Sequence, residues 1–367
     1  MEAEAVKVIK SGDHIHLSSV ASAPECLIEA MCERGRNKEF KNVYIHHLHT
    51  EGPAPYANQE FEGIFQHDAF FVGSNVRKDV QAGYADYIPI FLSETQKLYR
   101  EGYLPCDVAM VQVCPPDAHG YVSLGTSVDA TLAAVEVAKT VIAVVNPNVP
   151  RSFGDAMIPM SMIDIFVEDN TPLMPAHFSQ PNEQEVAIGK YCAELIEDGA
   201  CLQMGIGAIP NAVLAQLGNH KNLGIHTEMF ADGVLPLVES GVINGANKKL
   251  DKGKMVSTFL MGSQKVYDFI DNRFRSILVA SMMLIMPSVT KNGISKIAPI
   301  LTPGAGCVTT RNHIHWFVTE YGAVNLYGKS LQERARLLIS VAHPDHREEL
   351  ERAAFERYGS HFRYVQK

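Results

Sequence analysis

Glu228 is the residue of this chain best placed to do chemistry. It follows His226 and Thr227 at the close of the short run Lys221-Asn222-Leu223-Gly224-Ile225-His226, whose alternating Leu223 and Ile225 mark a strand. A carboxylate at such a position can act as a general base, as a partner for a helix terminus, or as a nucleophile that forms an acyl intermediate. The residues alone leave these uses open, together with that of a solvated acid. Upstream, Met204-Gly205-Ile206-Gly207-Ala208-Ile209-Pro210-Asn211 reads as a strand that stops, two glycines and a helix that starts. Backbone N–H groups at such a start form a small anion or oxyanion site. A tight structural turn accounts for the same letters.

The elements that position these residues occur twice. Ile9-Lys10-Ser11-Gly12-Asp13-His14-Ile15-His16-Leu17 is matched by Ile196-Glu197-Asp198-Gly199-Ala200-Cys201-Leu202-Gln203-Met204. Each copy passes through small residues and a proline, Pro24 or Pro210, into a helical stretch, then Lys-Asn and a strand ending in Ile-His. After His46 the first copy has His47 and Leu48 where the second has Thr227 and Glu228. A duplicated α/β unit with one acid at a strand end is expected, and strand ends are where open α/β sheets do their chemistry. Strands are expected at 107–113 and 140–146 with a helix at 130–139 between them, which favours a mostly parallel sheet. Cys114 to Gly120, with Pro115, Pro116 and Asp117, reads as a loop. The polar, proline-containing stretch from Glu168 to Glu185 reads as a linker, and a helix is expected from Glu185 to Asp198, ended by Gly199. The domains expected are 1–180 and 181–367.

The chain has 367 residues, 46% hydrophobic and 20% charged, and a formal net charge of −9. That charge argues against broad nucleic-acid binding, which needs a basic face. No apolar run reaches the roughly 18 residues of a membrane span. The seven cysteines show no CxxC pair and suggest buried thiols in a reducing compartment. Fifteen histidines invite a metal reading, yet His46, His47 and His49 lie on or just past a strand, where neighbours alternate between faces, and no metal site is expected. The start, Met1-Glu2-Ala3-Glu4, lacks the features of a secretory signal.

Several longer words then fix a resemblance. Glu197-Asp198-Gly199 with Gln203 to Pro210, Gly224-Ile225-His226-Thr227-Glu228-Met229, Val318-Thr319-Glu320-Tyr321-Gly322, and Glu333-Arg334-Ala335 with Ala342-His343-Pro344 resemble the acetyl-CoA hydrolase and CoA-transferase family. Within it they are closest to 4-hydroxybutyrate and butyryl-CoA:acetate CoA-transferases. Pro115-Pro116-Asp117, Gly120 and Ser123-Leu124-Gly125 resemble its first-domain active-site loop. The resemblance implies two similar open-sheet α/β domains and CoA transfer between a short-chain acyl-CoA and a carboxylate such as acetate. Glu228 corresponds to the nucleophile that becomes a glutamyl-CoA thioester. Gly205, Ile206, Gly207, Ala208 and Ile209 correspond to a CoA-contacting loop, and Lys291 to a further CoA contact. Coenzyme A enters as substrate, with no tightly bound cofactor, and a homo-oligomer in the cytoplasm, or in mitochondria if eukaryotic, is expected. The family's Gly-Val-Gly-Gly-Gln segment has no counterpart, because Asp268 to Asn272 joins Pro287-Ser288 through Arg273 to Ser281. The second domain is therefore expected to be truncated internally. Competing readings are an acetyl-CoA hydrolase, a catalytically impaired CoA-binding or subunit-interaction relative, and a sugar-phosphate isomerase-like enzyme. His226 and Thr227 are candidates to support Glu228, and Lys296 and Arg311 are candidates for phosphate contacts, with a solvated surface role the favoured alternative for each of these two.

Overall fold

The computed structural model describes residues 1–176, 179–271, 275–276, 284–307, 309–311 and 313–359. The chain divides into two compact units, the first made of Met1–His177, Ile225–Asp232 and Lys249–Val279, the second of Phe178–Gly224, Gly233–Lys248 and Ala280–Lys367. The strands in chain order are β1 (His14–Leu17), β2 (Val43–His46), β3 (Phe65–Ala69), β4 (Ala85–Tyr87), β5 (Val108–Val113), β6 (Tyr121–Ser123), β7 (Thr140–Val145), β8 (Phe153–Gly154), β9 (Met157–Pro159) and β10 (Ile165–Glu168). They continue as β11 (Cys201–Leu202), β12 (Gly224–Phe230), β13 (Val256–Leu260), β14 (Arg275–Ser276), β15 (Leu284–Ile285), β16 (Trp316–Thr319) and β17 (Gly322–Asn325).

The first unit is built on a parallel sheet of order β10-β7-β5-β1-β2-β3-β4. β5 is buried at every position, as expected of a strand covered on both faces. Its Val108 and Met110 join Ile142 and Val144 in one core with Leu27, Ile28 and Met31 of the helix Glu25–Arg36. Its Ala109, Val111 and Val113 join Val141 and Ala143 in another with Ala133, Ala134 and Val135 of the helix Thr131–Val137. The period of two along each strand thus sorts the sheet into two cores. The sequence order of the strands reverses at β1, so the carboxyl ends of β1 and β5 form a switch point, the place where such sheets leave a crevice.

The second unit packs the helices Glu183–Glu194 and Ala208–Gln216 with β15, β16 and β17. Ile188, Cys192, Val213 and Val318 form that core, with Ile209 and Ile285 against it. The first helix starts two residues before its expected place, because Asn182 and Glu185 close a reciprocal capping box. It ends at Glu194, and Gly199 serves the later turn with φ +79.

The expected boundary between residues 180 and 181 lies beside the division at 177/178, but Ile225–Asp232 and Lys249–Val279 fold with the first unit. Hydrogen bonds from β13 to residues 126–128 hold them there. The strand bearing Glu228 also runs further than expected. Pairing of β12 with β13 continues to Phe230, so Glu228 lies inside the strand and not past its end. The junction Arg273 to Ser281, where the family segment would be inserted, falls outside the described residues apart from Arg275 and Ser276.

Candidate active site

Local chemistry brings the Glu228 strand to the switch point. Ser123 Oγ accepts from the Gly125 and Ser152 N–H groups, both at 3.1 Å, and donates to Ser152 O at 2.8 Å. Gly125 has φ +65, and a Cβ there would stand 2.1 Å from Val149 Cγ1, so only glycine makes this turn. The turn sends Thr126–Asp129 along the edge of β13: Leu260 N donates to Thr126 O at 2.8 Å and Val128 N to Thr258 O at 3.1 Å. Thr126 Oγ1 lies 2.5 Å from the Oγ of Ser22, just beyond β1. β13 then pairs in parallel with β12, placing Thr227 beside Ser257 and Met229 beside Phe259. Met229 and Phe259 turn into the sheet core, and alternation sends Glu228 to the opposite face.

Glu228 is half-buried. Burial, and secondarily the negative charge of Asp129, raise its carboxyl above the ordinary range. Loss of water raises the reactivity of the ionised carboxylate, which hydration otherwise suppresses. Asp129 is buried and held by Ser127 Oγ at 2.8 Å and by the N–H and hydroxyl of Thr131, each at 3.0 Å. No sequence signal sets Asp129 apart, because Ser-x-Asp-x-Thr before a helix is a common start signal. Of the expected supports, Thr227 donates its hydroxyl to Met229 O at 3.0 Å, a role within its own strand.

The glycine-flanked turn lies in the second unit and has the expected form. Gly207, at φ +106 and ψ −170, caps the helix Ala208–Gln216, whose Asn211 N donates to Gly207 O at 3.2 Å. Gly205 is exposed, while Ile206, Gly207, Ala208 and Ile209 are half-buried. Ile209 anchors the turn to the Val213–Val318 core. Lys291 is exposed in the turn that closes the Val289–Ser295 bridge. Ser288 at its base is fixed by Glu320 through the N–H at 2.8 Å and the hydroxyl at 2.7 Å. Lys296 and Arg311 are exposed. The loop 115–120 is rigid: Asp117 accepts from the His119 and Tyr121 N–H groups at 2.9 Å, and Arg151 donates to Pro115 O.

The histidines of the first sheet pack together as rings. His14 Nδ1 lies 3.0 Å from His46 Nε2, and His47 stacks on His67 with centroids 4.4 Å apart. Burial lowers His46 to about 3 and His67 to about 4, so both are neutral at pH 7. No group of three or more metal-ligating side chains is gathered among the described residues. No helix among them is long and apolar enough to cross a membrane.

Residues 1–176 match the acetyl-CoA hydrolase/transferase N-terminal domain, and residues 249–354 match its C-terminal domain. The succinyl-CoA:acetate/propanoyl-CoA:succinate CoA transferase of Fasciola hepatica is 40% identical over 412 aligned residues, covering 95% of this chain and 86% of that one. The 4-hydroxybutyrate coenzyme A transferase of Clostridium kluyveri is 38% identical over 408, covering 95% of each. Both alignments are longer than the 367 residues of this chain, so each relative carries residues with no counterpart here. The structure of a 4-hydroxybutyrate CoA-transferase from Porphyromonas gingivalis superposes with a TM-score of 0.84 at 32% identity, covering 98% of this chain and 97% of that one. With both halves of the sequence matched and the parallel α/β architecture shared, the chain belongs to the acetyl-CoA hydrolase/transferase family of enzymes.

Proposed function

We propose that this protein transfers CoA between a short-chain acyl-CoA and a carboxylic acid such as acetate, through a glutamyl-CoA thioester on Glu228. The observation that carries the reading is a desolvated carboxylate on β12, in a strand pair docked at the switch point of the first unit's sheet. Ionised Glu228 attacks the thioester carbonyl, releasing CoA thiolate and leaving a mixed anhydride. The thiolate attacks the Glu228 carbonyl carbon, the donor acid departs as its carboxylate, and a glutamyl thioester remains. An incoming carboxylate reverses both steps with its own acyl group.

Gly205, Ile206, Gly207, Ala208 and Ile209 supply backbone contacts to CoA, and Lys291 a cationic one. Binding energy taken from CoA, remote from the reacting carbon, offsets the cost of straining and dehydrating the thioester. The second domain is taken to lack an internal segment, and an enzyme slowed by that loss is an outcome of the same test.

The purified protein is incubated with an acyl-CoA and acetate and quenched with borohydride or hydroxylamine. A trapped modification at Glu228, together with exchange of the acyl group, is expected. Turnover without any adduct at Glu228 defeats the reading. An adduct resolved by water alone, with no acyl-CoA formed from acetate, makes the protein a hydrolase, the other activity in the family's description.

A further inference from the structure

Thr258 stands directly across the β12–β13 ladder from Glu228. The pairs Thr227 with Ser257 and Met229 with Phe259 bracket it, and partners across a parallel ladder project to the same face. Thr258 is only 7% exposed, and its Oγ1 is buried without a hydrogen-bond partner. Neighbouring hydroxyls are satisfied: Ser257 Oγ donates to Glu228 O at 3.0 Å, and Ser127 Oγ to Asp129 at 2.8 Å. A buried hydroxyl left unpaired costs stability, so each such group calls for a reason.

We propose that Thr258 is a catalytic residue whose hydroxyl donates to the oxyanion that forms on the side-chain oxygen of Glu228. The proposal rests on Glu228 being the nucleophile. When CoA thiolate attacks the Glu228 carbonyl carbon, a C–S bond forms and the carbonyl π pair moves onto the oxygen. The tetrahedral species collapses by breaking the bond to the departing carboxylate. In the return direction an incoming carboxylate adds to the same carbon, and the thiolate leaves. Negative charge therefore gathers twice on an oxygen of the residue that shares a ladder position and a face with Thr258. The hydroxyl gives a hydrogen bond and keeps its proton. At rest the Glu228 charge is spread over two oxygens and the Thr258 hydroxyl makes no hydrogen bond to either, which leaves it free to donate when the tetrahedral state concentrates that charge on one oxygen. It also gives a chain without the Gly-Val-Gly-Gly-Gln segment an oxyanion donor from within its own strand pair.

The test compares Thr258→Val and Thr258→Ser with the wild type by steady-state kinetics, rapid-quench trapping of the Glu228 adduct, and thermal unfolding. In Thr258→Val we expect kcat and the rate of glutamyl-thioester formation to fall together by about 10²–10³-fold, the usual effect of removing one oxyanion donor. KM for the acyl-CoA should stay within about twofold, as for an interaction made only in the transition state. Tm should hold or rise, because the unpaired hydroxyl is gone, and Thr258→Ser should recover most of the rate. Adduct formation in Thr258→Val within about threefold of wild type overturns the proposal. So does a fall in activity matched by a fall in Tm that serine does not repair. A wild-type protein that turns over without a Glu228 adduct removes the nucleophile reading, and this proposal with it.

Discussion

Lowering the pH from 7 to 5 is expected to destabilise the first unit by about 4 kcal/mol. The most deeply buried histidines carry most of the effect, and His14 and His49, also lowered by burial, act in the same direction. His16, His46, His47 and His67 are all buried, and burial holds His16 and His67 at about 4, His46 at about 3, and His47 well below its ordinary value of 6.5. Their partners suit neutral rings: Tyr99 OH and Thr131 Oγ1 for His16, His14 for His46, Tyr56 OH for His47, and Ile45 O for His67. A folded pKa below the unfolded one means that the unfolded chain takes up more protons. The stabilisation is thus complete above about pH 6.5 and is lost as the pH falls towards the folded values. At pH 5, about 1.5 units below the unfolded pKa, His16, His46 and His67 are still neutral when folded, which amounts to about 2 kcal/mol apiece, and His47 shifts in the same direction. Glu25, raised by burial to about 7, works the other way and returns about 2 kcal/mol over the same interval. Asp68 and Glu51, also raised by burial, oppose the loss as well. The remainder is a large part of the roughly 5–15 kcal/mol that holds a domain together. Urea unfolding at pH 7, 6 and 5, followed by far-UV circular dichroism, reads it directly. His67→Phe, which keeps a ring against His47 and Tyr56, should shrink the difference by about 2 kcal/mol. Stability at pH 5 within about 1 kcal/mol of that at pH 7 would refute the reasoning.

Glu228→Ala should lower transferase turnover at least about 10⁴-fold, as expected for loss of a nucleophile, while leaving Tm unchanged. Equal loss of stability and activity would make the residue structural. Asp129→Asn should move the acid limb of the kcat/KM profile to lower pH, since Asp129 adds to the raised pKa of Glu228 and the reaction needs the ionised form. An unmoved limb counts against that coupling. Gly207→Ala forces a side chain onto φ +106 with open space around the new Cβ, so only backbone strain of about 1–3 kcal/mol is expected. The CoA-dependent rise in Tm should shrink with it, and an undiminished rise would remove this turn from the CoA contacts.

Much of the fold could be read from the residues. The runs at 107–113 and 140–146 became β5 and β7, and the alanine-rich stretch between them became the helix Thr131–Val137. The repeated words became matching successions of strand, helix and strand: β1, Glu25–Arg36 and β2, then β11, Ala208–Gln216 and β12. Each of these follows from local periodicity or turn chemistry, which a short window contains. The length of β12 did not, because pairing with β13 carries the strand through Thr227, Glu228 and Met229 to Phe230.

The sequence by itself determined which chemistry is available, a carboxylate after Ile-His-Thr and a glycine-flanked helix start, and the family to which the words belong. Only the tertiary structure decided that the Glu228 strand folds with the first unit, that burial and secondarily Asp129 raise its carboxyl, and that an unpaired Thr258 hydroxyl lies across the ladder. The physical reason is separation along the chain. Asp129, Glu228 and Thr258 come together through sheet pairing and burial, and those depend on where distant segments meet, which no local pattern encodes.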